Sequence, residues 1–372
     1  MVLKWALFIL ISVRPKLLRH DFYVIHVENH MESTNRPVVI WLSLVCFLIF
    51  SMVIVGGITR LTHSGLSIAE WAPVVGTLPP LNEQAWQESF NKYQATPEYL
   101  KLNLGMSLGE YKSIFFWEYF HRLLGRITGL VLIIPYFIFL LKKKFVAGLS
   151  KRLLGGLLIA GLEGPMGWLM VKSGLVDAPH VSHYRLAAHL ALAFILFGYL
   201  FMIILGLTAD KSKNNTAGLK KFSLWICMGL SLEVVYGAFT AGLKAGFVYN
   251  TFPTMNGYWI PPALFYLSPL WRNFFENQTS VQFLHRLFAF LLLISVVIFR
   301  IMATRFSLTK NQKRGTNLLL SALLAQIVLG VTTLLCHIPV PLAVAHQGTA
   351  MLLFAASLFT YYSFSKTSGG PA

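Results

Sequence analysis

The sequence predicts an all-α integral membrane protein, eight transmembrane helices arranged as two pseudo-symmetric four-helix bundles. Three observations predict it. Of 372 residues, 56% are hydrophobic and 12% charged, with a mean hydropathy of +0.63, whereas a soluble domain carries about 25% charged residues. Eight apolar runs each approach the ~20 residues that a helix needs to cross a bilayer. Motifs in the first four runs recur in the last four. This composition excludes disordered, collagen-like and solvating chains and nearly every soluble enzyme class.

The runs lie near 38–57, 119–141, 153–172, 186–208, 222–243, 283–303, 317–336 and 341–363. The last two are separated by a short stretch with Pro339 and Pro341, where proline ends one helix without obstructing the next. The net charge of +17 comes from 31 Lys and Arg against 14 Asp and Glu. These cations cluster between the runs, as cytoplasmic loops collect them, so the excess is read as topology and no nucleic-acid partner is expected. Lys142, Lys143, Lys144, Lys151 and Arg152 follow the second run; Lys211, Lys213, Lys220 and Lys221 the fourth; Arg300, Arg305, Lys310, Lys313 and Arg314 the sixth. Both termini are then cytoplasmic. The loops 58–118, 173–185 and 244–282 face outward, the first with Glu70, Glu83, Glu88, Glu98 and Glu110.

Residues 5–13 are apolar but too short to span. No small-residue cleavage site follows, and Asp21 and Glu28 speak against a mitochondrial transit peptide. Residues 1–35 are therefore read as a dispensable N-terminal extension, with Met31 opening the working protein. The domains follow as bundles 36–210, carrying the long outer loop 58–118, and 218–364, with a tail 365–372. Cys46, Cys227 and Cys336 lie in apolar runs without paired spacing, so no disulfide or zinc site is expected.

The duplication has a signature. Glu163 precedes Gly167 by four, Glu233 precedes Gly237 and Gln326 precedes Gly330; Met52 and Gly56 occupy that place in the first run. VGGITRLTHSG at 55–65 resembles YGAFTAGLKAG at 236–246, and EYFHRLLGR matches QFLHRLFAF about the shared His-Arg-Leu. Internal repeats are common in membrane folds. The glycines read as close-packing sites between helices.

Four of the eleven histidines stand out. His121, His189, His285 and His346 fall near the outer ends of the second, fourth, sixth and eighth runs, two per half at one depth. One imidazole from each of two neighbouring helices supplies two axial ligands to a haem iron. A lone histidine near a helix end is ordinarily a satisfied interface residue, but four in equivalent places mark a functional pattern. Zinc or copper would need more ligands than a pair.

Glu118 stands three residues before His121, on the same helix face. It reads either as an acid beside a haem edge, able to move protons, or as a helix-start carboxylate favoured by the dipole. Gln282 holds the corresponding place before His285, so the reactive site is expected in the first half and an electron-transfer or structural haem in the second. Arg122, Arg126 and Arg286 fit haem propionates or lipid headgroups. Glu163 and Glu233 read as hydrogen-bonded between helices. His63, His180, His183 and His337, and the sequon Asn277-Gln278-Thr279, receive no role.

IFFWEYFHRLLGRITG at 114–129, GGITRLTHSGLSIAEW at 56–71, PMGWLMVKSGL at 165–175, FLHR at 283–286 and AHQGTAM at 345–351 resemble the haem A synthases. This is the Cox15/CtaA family, in the form found in α-proteobacteria and mitochondria. The resemblance extends from about residue 36 to 364. It implies an inner-membrane oxidoreductase that converts the C8 methyl of haem O to a formyl group, making haem A for cytochrome c oxidase. It further implies that His121 and His189 face the iron of substrate haem O, that His285 and His346 ligate haem b, and that Glu118 assists the oxidation. A haem O synthase, an electron donor still to be identified, membrane lipid and a second copy of the chain are the partners it suggests. Some bacterial members carry a cysteine pair in the outer loops; this chain has none there. The rival reading is a di-haem b-type membrane cytochrome that only transfers electrons; Glu118 in one half alone argues against it. A transporter of inverted repeats fits poorly, because the halves run parallel.

Overall fold

The computed structural model describes residues 22–70, 75–175, 180–209 and 216–365. Residues 1–21 of the N-terminal extension, 366–372 of the tail, and the basic Lys211 and Lys213 lie outside the described residues. Eleven α-helices follow in order: α1 (Phe22–Leu61), α2 (Glu83–Gln94), α3 (Pro97–Leu102), α4 (Leu108–Leu141), α5 (Leu149–Lys172), α6 (His183–Thr208), α7 (Ala217–Gly242), α8 (Asn273–Glu276), α9 (Gln278–Ala303), α10 (Lys310–Leu335) and α11 (Val340–Ser363). Eight of them, α1, α4–α7 and α9–α11, are long and apolar enough to cross a membrane. The chain is an all-α, multi-pass membrane protein.

All eight predicted spans are present; α1 begins at Phe22 rather than near 38, within the expected extension, and α4 corrects a second boundary. It begins at Leu108 rather than near 119, because Ser107 and Glu110 form a capping box: Glu110 N–H donates to Ser107 Oγ (3.3 Å), and Ser107 N–H donates to Glu110 Oε2 (2.8 Å). His121 therefore lies well inside its helix, not in the first turn or two. Thr309 and Gln312 cap α10 in the same way. Pro339 and Pro341 open α11, where a missing N–H costs nothing. Asn277 of the sequon is fully buried; its Oδ1 accepts from Thr279 N–H and Ser280 N–H to start α9. It is a helix cap.

Helix α1 touches α4, α4 touches α5, α5 touches α6 and α6 returns to α1; α7, α9, α10 and α11 neighbour one another in the same cyclic order. The two sets meet through α1, α6, α7 and α11. Leu42 and Val45 of α1, Leu200 and Ile204 of α6, and Met351 and Phe354 of α11 share one buried cluster there. Gly57 and Gly348 let α1 and α11 approach. A Cβ on Gly57 would stand 3.0 Å from Gln347 Oε1, and Gln347 in turn donates to Val53 O (2.8 Å). The four peripheral helices expose large apolar side chains, Phe137 at 54%, Leu158 at 66% and Val328 at 64% among them. Hydrocarbon is the solvent such surfaces require.

The long loops cap one end of the bundle. In the first, Phe90, Tyr93, Tyr99, Tyr111 and Phe115 form a buried aromatic cluster, with Tyr93 stacked on Tyr111 at 5.2 Å. In the second, Asn273 and Asn277 donate to four loop carbonyls, those of Leu267, Leu270, Ala263 and Leu264. The Arg60 guanidinium donates to Ala241 O at the end of α7, tying the two sets together.

Candidate functional site

The four histidines project from α4, α6, α9 and α11 toward the loop-rich end, with His189, His285 and His346 about 10 Å below their helix starts. Each imidazole lies against a glycine of a neighbouring helix. A Cβ on Gly56 would stand 3.0 Å from Cε1 of His121, on Gly167 3.4 Å from that of His189, on Gly237 3.3 Å from that of His285 and on Gly330 2.8 Å from that of His346. These are the four glycines of the sequence repeat. Their missing side chains make room for the rings.

At three of these glycines the residue four before it meets the same ring. Glu163 Oε2 lies 2.7 Å from Nδ1 of His189, and Glu233 Oε1 lies 2.9 Å from Nδ1 of His285. Both approaches are at ion-pair distance, although neither ring N–H is aligned for a hydrogen bond. Gln326 Nε2 stands 3.4 Å from Nε2 of His346. On α1 the place belongs to Met52, whose methyl packs toward Gly125, and Nδ1 of His121 is buried without a hydrogen-bond partner. Glu163 and Glu233 are the site residues that the sequence reading did not single out; the signal was the acid-to-glycine spacing, repeated in register with the histidines.

His285 and His346 face each other with ring centroids 6.5 Å apart and planes at 88°. Two imidazoles bound through nitrogen to opposite sides of one metal, each at about 2 Å, have centroids about 6 Å apart. The pair therefore fits two axial ligands of a haem iron. His121 and His189 stand on α4 and α6, the helices of the first set that correspond to α9 and α11. Among the described residues no group of three or more His, Cys, Asp or Glu converges on one metal position; the pairs stand by themselves.

Glu118, 3% exposed, is held by four hydrogen bonds. Oε2 accepts from Ser67 Oγ (2.8 Å) and Ile68 N–H (2.9 Å), and Oε1 accepts from Arg122 Nε (3.1 Å) and Arg122 NH2 (2.7 Å). Arg122 also donates to the carbonyls of Glu70 and Ile68, both at 3.0 Å. The second half repeats this arrangement with neutral chemistry. Gln282 Nε2 donates to Tyr249 O (2.9 Å), and Arg286 donates to the carbonyls of Tyr249, Thr251 and Thr254. Position 118 and its counterpart 282 thus fasten the loop that follows the preceding helix. Only in the first half does a carboxylate do so, one turn from His121. Arg122 and Arg286 each donate to loop carbonyls, Arg122 also to the Glu118 carboxylate, and Nε of Arg286 is buried without a hydrogen-bond partner.

A second buried acid lies in the first loop. Glu98, 3% exposed, accepts from Tyr93 O–H (3.3 Å), and Asn103 Nδ2 donates to that same phenol oxygen (2.7 Å). Burial pushes its carboxyl up from 4.5 to about 7, assisted by the Glu118 charge and opposed by the Tyr93 hydrogen bond and Lys244. Between those values the folded protein holds a proton that the unfolded chain has released, so stability falls as pH rises from 4.5 to about 7, a loss of about 3 kcal/mol. Glu98→Gln is expected to remove that slope and to melt higher than the unsubstituted protein at pH 8, as read from thermal unfolding in detergent between pH 5 and 8. Parallel pH profiles for the two would contradict it.

An all-α, multi-pass membrane protein with one histidine pair in each set of four helices belongs to a narrow class of proteins that can hold haem between helices. The comparisons place this chain within it. Residues 39–358 match the family model described as Cytochrome oxidase assembly protein, COX15-CtaA, and the chain belongs to that family. Heme A synthase of Nitrosospira multiformis is 49% identical over 90% of this chain and 95% of its own length. Those of Nitrosomonas eutropha and Wolbachia pipientis wMel are 47% and 44% identical, again over 90% of this chain and over 94% and 95% of theirs.

Proposed function

We propose that this chain is a haem A synthase, an oxidoreductase that converts the C8 methyl of haem O to a formyl group and so serves cytochrome oxidase assembly. The observation that carries it is the facing of His285 and His346, with His121 and His189 at the corresponding places of the first set, in a chain 49% identical to a Heme A synthase over 90% of its length. His285 and His346, with a spacing that suits a bound iron, hold haem b. His121 and His189 face the iron of substrate haem O. Glu118 is the catalytic acid of the first half.

The bound haems supply the redox chemistry; the chain's own residues bind, orient and enclose. Glycines 56, 167, 237 and 330 leave the space in which the imidazoles sit. Arg122, Ser67 and Ile68 N–H hold the Glu118 carboxylate one turn from His121 and pin the 67–70 segment over that end of α4. A carboxylate so held presents Oε1 and Oε2 as the atoms at which a proton is accepted or returned. The neutral Gln282 provides the fastening without the proton.

The cyclic neighbour relations of the helices support two pseudo-symmetric bundles, 36–210 for the substrate haem and 218–364 for haem b, with residues 1–35 dispensable. The basic segments after the second, fourth and sixth spans support a bacterial inner-membrane topology with cytoplasmic termini and the haem sites toward the outer face. Haem O arriving from a haem O synthase, and an electron donor, complete the reaction; self-association through the lipid-facing helices remains part of this reading.

The test is extraction and chromatographic identification of haems from protein purified with a haem O source. Haem B together with haem A, or with a hydroxylated haem O, is expected. Haem B alone at two per chain would favour the electron-transfer cytochrome and remove the catalytic role of Glu118.

A further inference from the structure

We infer that Glu163 and Glu233 are positioning residues for His189 and His285, so that each haem site combines one histidine backed by a carboxylate with one that is not. The inference rests on the haem reading above and goes beyond it by ranking the four ligands. Glu163 Oε2 and Glu233 Oε1 sit 2.7 and 2.9 Å from the Nδ1 atoms, on the ring side away from Nε2. A histidine that binds metal through one nitrogen commonly presents the other to a carboxylate, which fixes the ring and makes it a stronger donor. The two acids are 20% and 15% exposed and lie within apolar spans, where an unexplained carboxylate is costly. The adjacent imidazole supplies the explanation in both halves.

The remaining two histidines differ from these. Nδ1 of His121 and Nδ1 of His346 are both buried without a hydrogen-bond partner, and Gln326 approaches His346 at Nε2 instead. In the first half His189 is the firm ligand and His121 the displaceable one. Haem O must enter and its oxidised product must leave, and one loosely held ligand lets the iron be released without dismantling the site. The displaceable ring is on the helix that carries Glu118, three residues away.

The test uses the full chain purified with its haem and reads the reduction potential, which a purely packing role for the acids would not move systematically. Loss of the carboxylate behind His285 in Glu233→Gln weakens stabilisation of ferric iron. A shift toward the ferrous form of about tenfold, 59 mV upward for one electron, is expected with haem B content unchanged. Glu233→Asp keeps a carboxylate behind His285 and is expected to hold the potential close to that of the unsubstituted protein, so the prediction stands even where Glu233→Gln folds poorly. In the first half, His121→Ala is expected to retain haem O and His189→Ala to lose it. An unchanged potential in Glu233→Gln, or a potential in Glu233→Asp raised as far as the amide variant's, in protein whose haem B disappears in His285→Ala, would overturn the positioning role while leaving the haem reading intact. Equal haem O loss in the two alanine variants would overturn the ranking. Haem B retained in His285→Ala would instead overturn the haem reading itself.

Discussion

Glu118→Gln is expected to stop haem A formation while haem B remains bound in the second half. The carboxylate receives four donors: Ser67 Oγ, Ile68 N–H and two from Arg122. A glutamine can accept at one atom only. Its amide nitrogen must face either the guanidinium or the Ser67–Ile68 pair, donor against donor, and the half-buried Arg122 loses its counter-charge. Proton transfer at this position ends as well, and a positioned acid or base is typically worth about 10²- to 10⁴-fold in rate. Extracted haem should consist of haem B and unconverted haem O. An unchanged haem A yield would remove the assigned role.

Ser67→Ala separates the two effects. It deletes one hydrogen bond to Oε2, worth about 1 kcal/mol, and leaves an ionisable carboxyl paired with Arg122. Substantial haem A is expected from it. A loss as complete as that of Glu118→Gln would mean that the residue serves only to fasten the 67–70 segment, as Gln282 fastens the loop at Tyr249 in the other half.

The sequence made the eight spans legible because hydropathy is a property of composition, summed over a run and independent of what packs where. It did not reveal where α4 begins, since Leu108–Phe116 mixes Glu110 and Lys112 among apolar residues and a search for unbroken apolar runs passes over it. The capping box at Ser107 and Glu110 was the readable signal there. One histidine on each of α4, α6, α9 and α11 was legible from chain position, although His121 stands farther from its helix start than the other three. What fills the space beside each repeat glycine was not. The reading gave these glycines to helix packing in general, whereas Gly56, Gly167, Gly237 and Gly330 each admit one of the four imidazoles. Which side chain enters such a space depends on the rotation and register of two helices, and no single run contains that information. The same limit hid the pairing of Glu163 with His189 and of Glu233 with His285. Glu98 was hidden differently. In sequence it is one of five acids of an outward loop; only the folding of α2 and α3 under Tyr93, Tyr99 and Tyr111 buries it.

Gly242→Ala is expected to destabilise the whole molecule and to cost the first half its haem site before the second. Gly242 is the last residue of α7, and a Cβ there would stand 2.5 Å from Cβ and 2.8 Å from Cα of His183, the first residue of α6. Rotating a side chain cannot relieve a contact with Cα, so α6 and α7 must separate where the two sets of helices meet. Overpacking of this kind costs about 1–3 kcal/mol. The strain falls on the end of α6 that positions His189 and beside the Ala241 carbonyl that receives Arg60. His346 sits against Gly330 of α10, away from this contact, and His285 meets α7 at Gly237 and Glu233, more than one turn before Gly242. A lower melting temperature in detergent is expected, with haem O retention reduced and haem B largely kept. Gly161→Ala on α5 is the control: a Cβ there has no neighbour within 4 Å, so the gain in helix propensity, up to about 1 kcal/mol, should leave the melting temperature equal or slightly raised. Equal melting temperatures for Gly242→Ala and the unsubstituted protein would mean that the two halves are not held together by the α6–α7 contact, and that the ties of α1 to α11 at Gly57 and Gln347 carry the assembly instead.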